Sequence, residues 1–225
     1  MSGTHPDEQA LRSAIVETAL AMNAYGINRG KSGNVSARLR RDDFDGFLIT
    51  PTGLPYEQTT LADIVPMTLT GKPGGRRLPS SEWRFHLDIY RMRADANAIV
   101  HTHAPFATTL ACHARSIPAF HYMVAVAGGR DIRCAEYATF GTQALSDRVL
   151  AALEARHACL LAHHGMIAIG GSLEKALALA VEVETLAEMY WRALALGEPE
   201  NLSDAEMDVV LEKFATYGQP GDGGS

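Results

Sequence analysis

Short apolar runs alternate irregularly with longer amphipathic stretches along the chain, and that alternation limits the fold more than any other feature. Residues 7–24, DEQALRSAIVETALAMNA, space Leu11, Ile15, Ala19 and Met22 at three and four, which predicts an amphipathic helix with acidic residues near its start. Gly26 stands where a C-cap would fall. VSARLR and FLIT read as short strands about the polar turn RDDFDG, and DIVPMTL as another. SSEWRFHLDIYRMR predicts a helix with Ser80 or Ser81 as its cap and Glu82 in its first turn. NAIVHTH predicts a strand, and PFATTLACH a short helix with Pro105 near its first turn. DIRCAEY is strand-like, TQALSDRVLAALEAR helical, and ACLLAHHGMIAIG strand-like with a break at Gly165. Two further helices follow, in SLEKALALAVEVETLAEMYWRALALG and SDAEMDVVLEKFATYG. No internal repeat is present. The irregular order predicts an α/β sandwich rather than a simple doubly wound sheet. Residues 1–225 are expected to form one domain, with 1–6 and 219–225 as flexible ends.

Composition narrows the class of partner. At 47% hydrophobic and 20% charged residues, the chain reads as an ordinary globular protein that buries its core without staples. The formal net charge is −6 and no basic stripe is present, which argues against nucleic acid but not against a small anion in a local pocket. Cys112, Cys134 and Cys159 are too few and too far apart for a disulfide framework or a zinc knuckle. The first residues carry no signal-peptide pattern, and no apolar run reaches the roughly 18 residues of a membrane span. A cytoplasmic protein is expected, with no membrane partner.

Several groups of residues carry the chemistry. His101 and His103 lie two apart at the end of a predicted strand, where side chains at i and i+2 share a face and two imidazoles can hold one metal ion. The alternative is a pair bonded to backbone and water. LLAHHG supplies His163 and His164, of which alternation allows only one to face the same way, without deciding which. Three histidines with an open position would make a catalytic rather than a structural site. Glu82, behind Ser80 and Ser81, sits at a helix start that suits anions, although serine and first-turn glutamate are also ordinary helix grammar. Glu82 and His86 could share a metal, but His86 reads better as a packed or hydrogen-bonded helix residue. NRGKSGNVS places Gly30 and Gly33 where backbone amides could cradle an anion. It is not a nucleotide P-loop, because Tyr25 stands where that pattern requires its first glycine. Together these groups fit metal-assisted chemistry on a phosphorylated small molecule.

With SGNVSAR, LITPTGLPY, LPSSEWRFH, VHTHA, YATFGT and LLAHHG in this order, the chain resembles the class II aldolase/adducin family from about residue 10 to about residue 218. The resemblance implies a three-layer α/β/α sandwich around a largely antiparallel sheet, assembled as a C4 homotetramer with active sites between subunits. It implies one zinc ion per subunit, held by His101, His103 and His164. Glu82 approaches the metal in the free enzyme and serves as the base on the substrate. The substrate phosphate is expected among Gly33, Asn34, Thr52, Gly53, Ser80 and Ser81. Tyr122 and Tyr217 match residues that reach a neighbouring subunit's site. The implied reaction is cleavage of a ketose 1-phosphate, L-fuculose 1-phosphate first among them, to dihydroxyacetone phosphate and an aldehyde such as L-lactaldehyde. A 5-deoxyribulose-1-phosphate aldolase, a 4-epimerase, a sugar-acid phosphate decarboxylase and a dehydratase are the alternatives on this scaffold. An adducin-like binding module is expected to lack the metal ligands. Lys31 and Ser32 depart from the small threonine–alanine pair of the family's phosphate loop, which leaves the sugar open.

Overall fold

The computed structural model describes residues 8–42 and 44–216; Tyr217 and both expected flexible ends lie outside the described residues. Helix α1 (Glu8–Ala24) buries Leu11, Ile15, Ala19 and Met22, the stripe that the spacing predicts. Gly26 follows in the left-handed region, at φ 73°. Strands β1 (Asn34–Arg41), β2 (Phe44–Ile49) and β3 (Val65–Thr68) form an antiparallel meander. Then come α2 (Trp83–Met92), β4 (Ala98–Thr102), α3 (Pro105–Cys112), β5 (Cys134–Ala135), α4 (Gln143–Ala152), β6 (Ala158–Leu161), β7 (Gly165–Gly170), α5 (Leu173–Leu194) and α6 (Asp204–Thr216).

The seven strands make one sheet in the order β3-β2-β1-β4-β7-β6-β5, in which only β5 and β6 run parallel. Strand alternation sends alternate side chains to opposite faces. Val35, Ala37 and Leu39 of β1 and Val100 of β4 join Ile15, Leu110 and Val183 of α1, α3 and α5 in one core. Phe47, Ile49, Ile99 and Ile167 join Phe85, Ile89, Leu145 and Val149 of α2 and α4 in the other. The sheet is therefore the middle of three layers, as expected. Each large side chain so buried is worth roughly 1.5–3 kcal/mol. No helix among the described residues is long and apolar enough to cross a membrane.

Three local expectations need correction. The strand in DIRCAEY shrinks to Cys134–Ala135, a two-residue edge beside β6. The break in ACLLAHHGMIAIG falls just before Gly165, over the three residues Ala162–His164, and Gly165 itself opens β7. Neither serine is the N-cap of α2: Glu82 holds that position, with no side-chain cap bond. Its carboxylate is drawn to the sheet instead, and Ser80 Oγ accepts from the Glu82 N–H at 3.3 Å.

A buried arginine ties α2 to the sheet. Arg38 of β1 donates to the carbonyls of Tyr90 at 2.6 Å, Arg93 at 3.1 Å and Ala96 at 3.1 Å, and its guanidinium lies over the Tyr90 ring. These bonds satisfy the carbonyls where the helix ends and the chain turns into β4. Arg38→Met would leave them without that donor, at about 1–3 kcal/mol for each buried group left unpaired. Urea unfolding of this variant is expected to show a loss of at least about 2 kcal/mol.

Candidate metal centre

The central strands bring the candidate ligands together. His101 lies on β4 two residues after Ile99 and shares its face, under α2, where the edge of its ring meets Phe85. His103 lies just past β4, before Pro105 opens α3. Antiparallel pairing sets Thr102 opposite Met166 and so carries the β6–β7 turn to the end of β4. Within that turn His163 adopts φ 57°, a left-handed conformation costing about 1–2 kcal/mol for a residue with a Cβ. His163 ends up exposed, and His164 faces the cluster. The choice that strand alternation left open is thus made by a turn. Glu82, at the start of α2, closes the group from above.

One ligand atom from each of Glu82, His101, His103 and His164 lies within 4.8 Å of every other. Glu82 Oε2 is 3.1 Å from His101 Nε2, Glu82 Oε1 is 3.1 Å from His164 Nε2, and His101 Nε2 is 3.2 Å from His103 Nε2. Donors about 2.0–2.1 Å from a tetrahedral ion would stand about 3.3 Å apart, close to these separations. His101 Nδ1 donates to the Met166 carbonyl at 2.9 Å, which turns Nε2 toward the cluster, where its lone pair would be offered to a bound metal. Glu82 Oε1 is buried without an aligned hydrogen bond, an orphaned anionic oxygen. Such a group costs several kcal/mol unless a cation meets it. The donor set fits a divalent cation.

The electrostatics agree. Burial acts to raise the Glu82 pKa, but the charges of His101 and His164, whose Nε2 atoms lie 3.1 Å from its two oxygens, outweigh it and hold the carboxyl ionised well below the usual range. Burial, followed by the charges of His101 and His164, pushes His103 down to about 4, so its imidazole is neutral near pH 7 and able to ligate.

Two glycines keep the space clear. A Cβ on Gly33 would lie 2.5 Å from the His101 carbonyl and 2.9 Å from Asn28 Oδ1. A Cβ on Gly165 would lie 2.5 Å from the Thr102 carbonyl, 3.0 Å from the His103 ring and 3.3 Å from the His101 ring. Gly165→Ala therefore pushes on two ligands at once. It is expected to lower bound metal well below one ion per chain by elemental analysis, while the protein stays folded by circular dichroism.

The expected phosphate residues occupy three adjoining segments. Gly33 and Asn34 begin β1, Thr52 and Gly53 follow β2, and Ser80 and Ser81 precede α2. The Thr52 N–H donates to Leu78 and the Ser80 N–H to Thr50, which pairs the second segment with the third. Lys31 Nζ donates to the Gly53 carbonyl at 2.8 Å and joins the first to the second. Both ends of the Asn34 carboxamide are taken by protein groups, Glu82 and His86. Asp63 braces the approach to Ser80: its carboxylate accepts from Thr60, Arg76 and Arg77. The Thr60 hydroxyl first, then Arg77, holds the Asp63 carboxyl well below the ordinary range. A depressed folded pKa stabilises above the unfolded value of about 4, and that gain fades as pH falls through the folded value. Asp63→Asn is expected to unfold more easily than the unmodified chain at pH 7, with the gap closing below about pH 4 in paired thermal melts.

Beside the cluster opens a cleft of about 310 Å³ whose rim includes Ser32, Ser81, Tyr137, Phe140 and His163. Tyr137 and Phe140 belong to the YATFGT stretch, to which the residues alone assigned no role; the density of aromatic and small residues there was the available signal. Tyr122 does not line this cleft. It is half exposed beside α6, with Met123, Leu202 and Phe214. His86 is fully buried and hydrogen-bonded, as its sequence context suggested, and is not part of the cluster.

Comparison with known proteins agrees with the fold. The Class II Aldolase and Adducin N-terminal domain family matches residues 13–191. The 5-methylthioribulose-1-phosphate/5-deoxyribulose-1-phosphate aldolase of Rhodospirillum rubrum is 57% identical over 209 residues, 93% of each chain. The L-fuculose phosphate aldolase of Escherichia coli K12 is 53% identical over 213 residues, 94% of this chain and 97% of that one. A solved L-fuculose 1-phosphate aldolase superposes with a TM-score of 0.89 at 40% identity, covering 95% of this chain and 100% of its own. The chain belongs to the class II aldolase/adducin family, on its aldolase side.

Proposed function

We propose that the chain is a zinc-dependent lyase that cleaves a ketose 1-phosphate to dihydroxyacetone phosphate and a short aldehyde. The observation that carries this reading is the convergence of His101, His103, His164 and Glu82 at a cleft mouth. Three imidazoles and a carboxylate are a donor set that suits zinc. A bound divalent cation supplies Lewis-acid polarisation of the substrate's ketone.

The chain's own groups do the rest. In the condensation direction Glu82, buried and ionised, takes a proton from C3 of dihydroxyacetone phosphate, and Tyr122 from a neighbouring subunit gives one to the oxygen that becomes the C4 hydroxyl. Cleavage runs both transfers in reverse, with Glu82 returning the proton it then carries to C3. Positioned proton transfer of this kind is worth roughly 10²–10⁴-fold. Gly33, Thr52, Gly53, Ser80 and Ser81 take the phosphate, with Lys31 at hand for a charge-assisted contact, while Asn34, in the same loop, spends its carboxamide on Glu82 and His86. A C4 homotetramer is part of the proposal, because Tyr122 lies away from its own subunit's cleft. Tyr217 is proposed to join it there.

The relatives bear names with two kinds of substrate, L-fuculose phosphate and the 5-deoxy- or 5-methylthioribulose 1-phosphates. Both are ketose 1-phosphates that end in a methyl group, which the rings of Tyr137 and Phe140 at the rim suit. L-Fuculose 1-phosphate, yielding L-lactaldehyde, and 5-deoxyribulose 1-phosphate are the two leading substrates.

A coupled assay for dihydroxyacetone phosphate tests the reading, with L-fuculose, L-rhamnulose, D-ribulose and 5-deoxyribulose 1-phosphates. Release is expected from at least one, and is expected to stop with a chelator and return with zinc. Glu82→Gln should lower kcat by about 10²–10⁴-fold while the three histidines keep the metal. No release from any ketose by zinc-loaded protein would overturn the reading and favour 4-epimerisation, decarboxylation or dehydration at the same centre.

A further inference from the structure

Behind Glu82, away from the cleft, a line of buried polar side chains runs into the core between β1 and α2. Asn34 Nδ2 donates to Glu82 Oε2 at 3.0 Å. Asn34 Oδ1 lies 2.5 Å from His86 Nε2, His86 Nδ1 lies 2.7 Å from Ser36 Oγ, and Ser36 Oγ lies 2.8 Å from the Tyr90 hydroxyl. Asn34, Ser36, His86 and Tyr90 are each no more than 2% exposed. Phe85 stacks on the His86 ring at 4.7 Å.

The hydrogens along this line have one consistent arrangement. An ionised Glu82 only accepts, so Asn34 turns its amide nitrogen to it. The Asn34 oxygen then faces His86, which donates from Nε2. Burial pushes His86 down to about 3, so the ring is neutral and its bare Nδ1 accepts from the Ser36 hydroxyl. Ser36 Oγ is left to accept from the Tyr90 hydroxyl, which burial keeps protonated. Flipping the Asn34 amide would set an oxygen against a carboxylate, and the Nδ1–H tautomer of His86 would set a lone pair against the Asn34 oxygen. These four buried polar groups satisfy one another, so a change in any one of them leaves its neighbour unpaired out of reach of water.

We propose that His86 is a positioning residue, acting through Asn34, that fixes which way the Glu82 carboxylate faces, with Ser36 and Tyr90 completing the line. The inference rests on the reading of Glu82 as the base. Glu82 Oε2 takes the Asn34 amide, while Oε1 receives no aligned protein hydrogen bond and has His164 Nε2 beside it at 3.1 Å. A base whose reactive oxygen is chosen by its backing can act only if that backing holds.

The test has two arms. The first does not involve activity: long-range 1H–15N spectra of histidine-labelled protein at neutral pH should give His86 as the neutral Nε2–H tautomer. An Nδ1–H tautomer or an imidazolium would overturn the proposal. The second uses zinc-loaded protein and follows deuterium exchange into C3 of dihydroxyacetone phosphate together with cleavage. His86→Leu should lower both rates by roughly 10–100-fold, with KM little changed and one metal ion per chain retained. His86→Gln, which can still offer an N–H to Asn34, should recover most of the loss. Tyr90→Phe should give rates between those of the His86→Leu variant and those of the unmodified protein. Unchanged exchange in a folded, metal-loaded His86→Leu protein would overturn the proposal, as would equal losses in His86→Leu and His86→Gln. Failure of the unmodified protein to exchange or cleave would strike the reading of Glu82 instead, and the tautomer measurement would still decide the line's hydrogen arrangement.

Discussion

A carboxylate buried against three imidazoles is a demanding arrangement, and the centre of this fold is organised around it. Taking an ionised oxygen out of water costs several kcal/mol unless charge and hydrogen bonds meet it. Glu82 is met on one oxygen by His101 and Asn34, and on the other by His164 alone. The middle strands β1, β4 and β7 place these partners, and α2 lowers the carboxylate onto them. Both apolar cores serve that placement: one holds α2 to the sheet through Phe85 and Ile89, and the other holds the opposite face through α5.

Precision at the centre comes from close approach more than from large side chains. Gly33 and Gly165 stand where a single added carbon would meet backbone or ring. His163 accepts a left-handed backbone, so that the next residue is aimed inward. Strain and tight packing of this kind concentrate where geometry matters for chemistry.

Much of this was legible in the sequence. Helices α1, α2 and α5 follow from apolar spacing, and strands β1, β2 and β4 from alternation between turns. The His101 and His103 pair was visible as a motif, and the resemblance named His164 and Glu82. Three things were not legible for physical reasons. The 163/164 choice depends on a backbone φ that no propensity sets. The cap of α2 is decided by a long-range pull on Glu82, which local helix grammar does not register. Cys134–Ala135 sits in a mixed stretch of charged and apolar residues at the edge of the sheet, where how far pairing runs is set by the neighbouring strand rather than by local pattern. Asn34 adds a fourth: its position reads as a phosphate-loop residue, and its carboxamide is held by Glu82 and His86.

The ligand-type residues come from four separate places: the head of α2, the body of β4, the loop beyond it and the β6–β7 turn. No short stretch of the unfolded chain can gather them. An ion held by the three histidines still draws on three of these places, so it recognises the folded chain far better than the unfolded one, and its binding energy is also folding energy. At a free concentration about a thousand times its dissociation constant, such an ion would add about 4 kcal/mol to stability. That is a sizeable share of the roughly 5–15 kcal/mol that holds an ordinary domain together. Metal supply would then govern how long the protein persists as well as how fast it works.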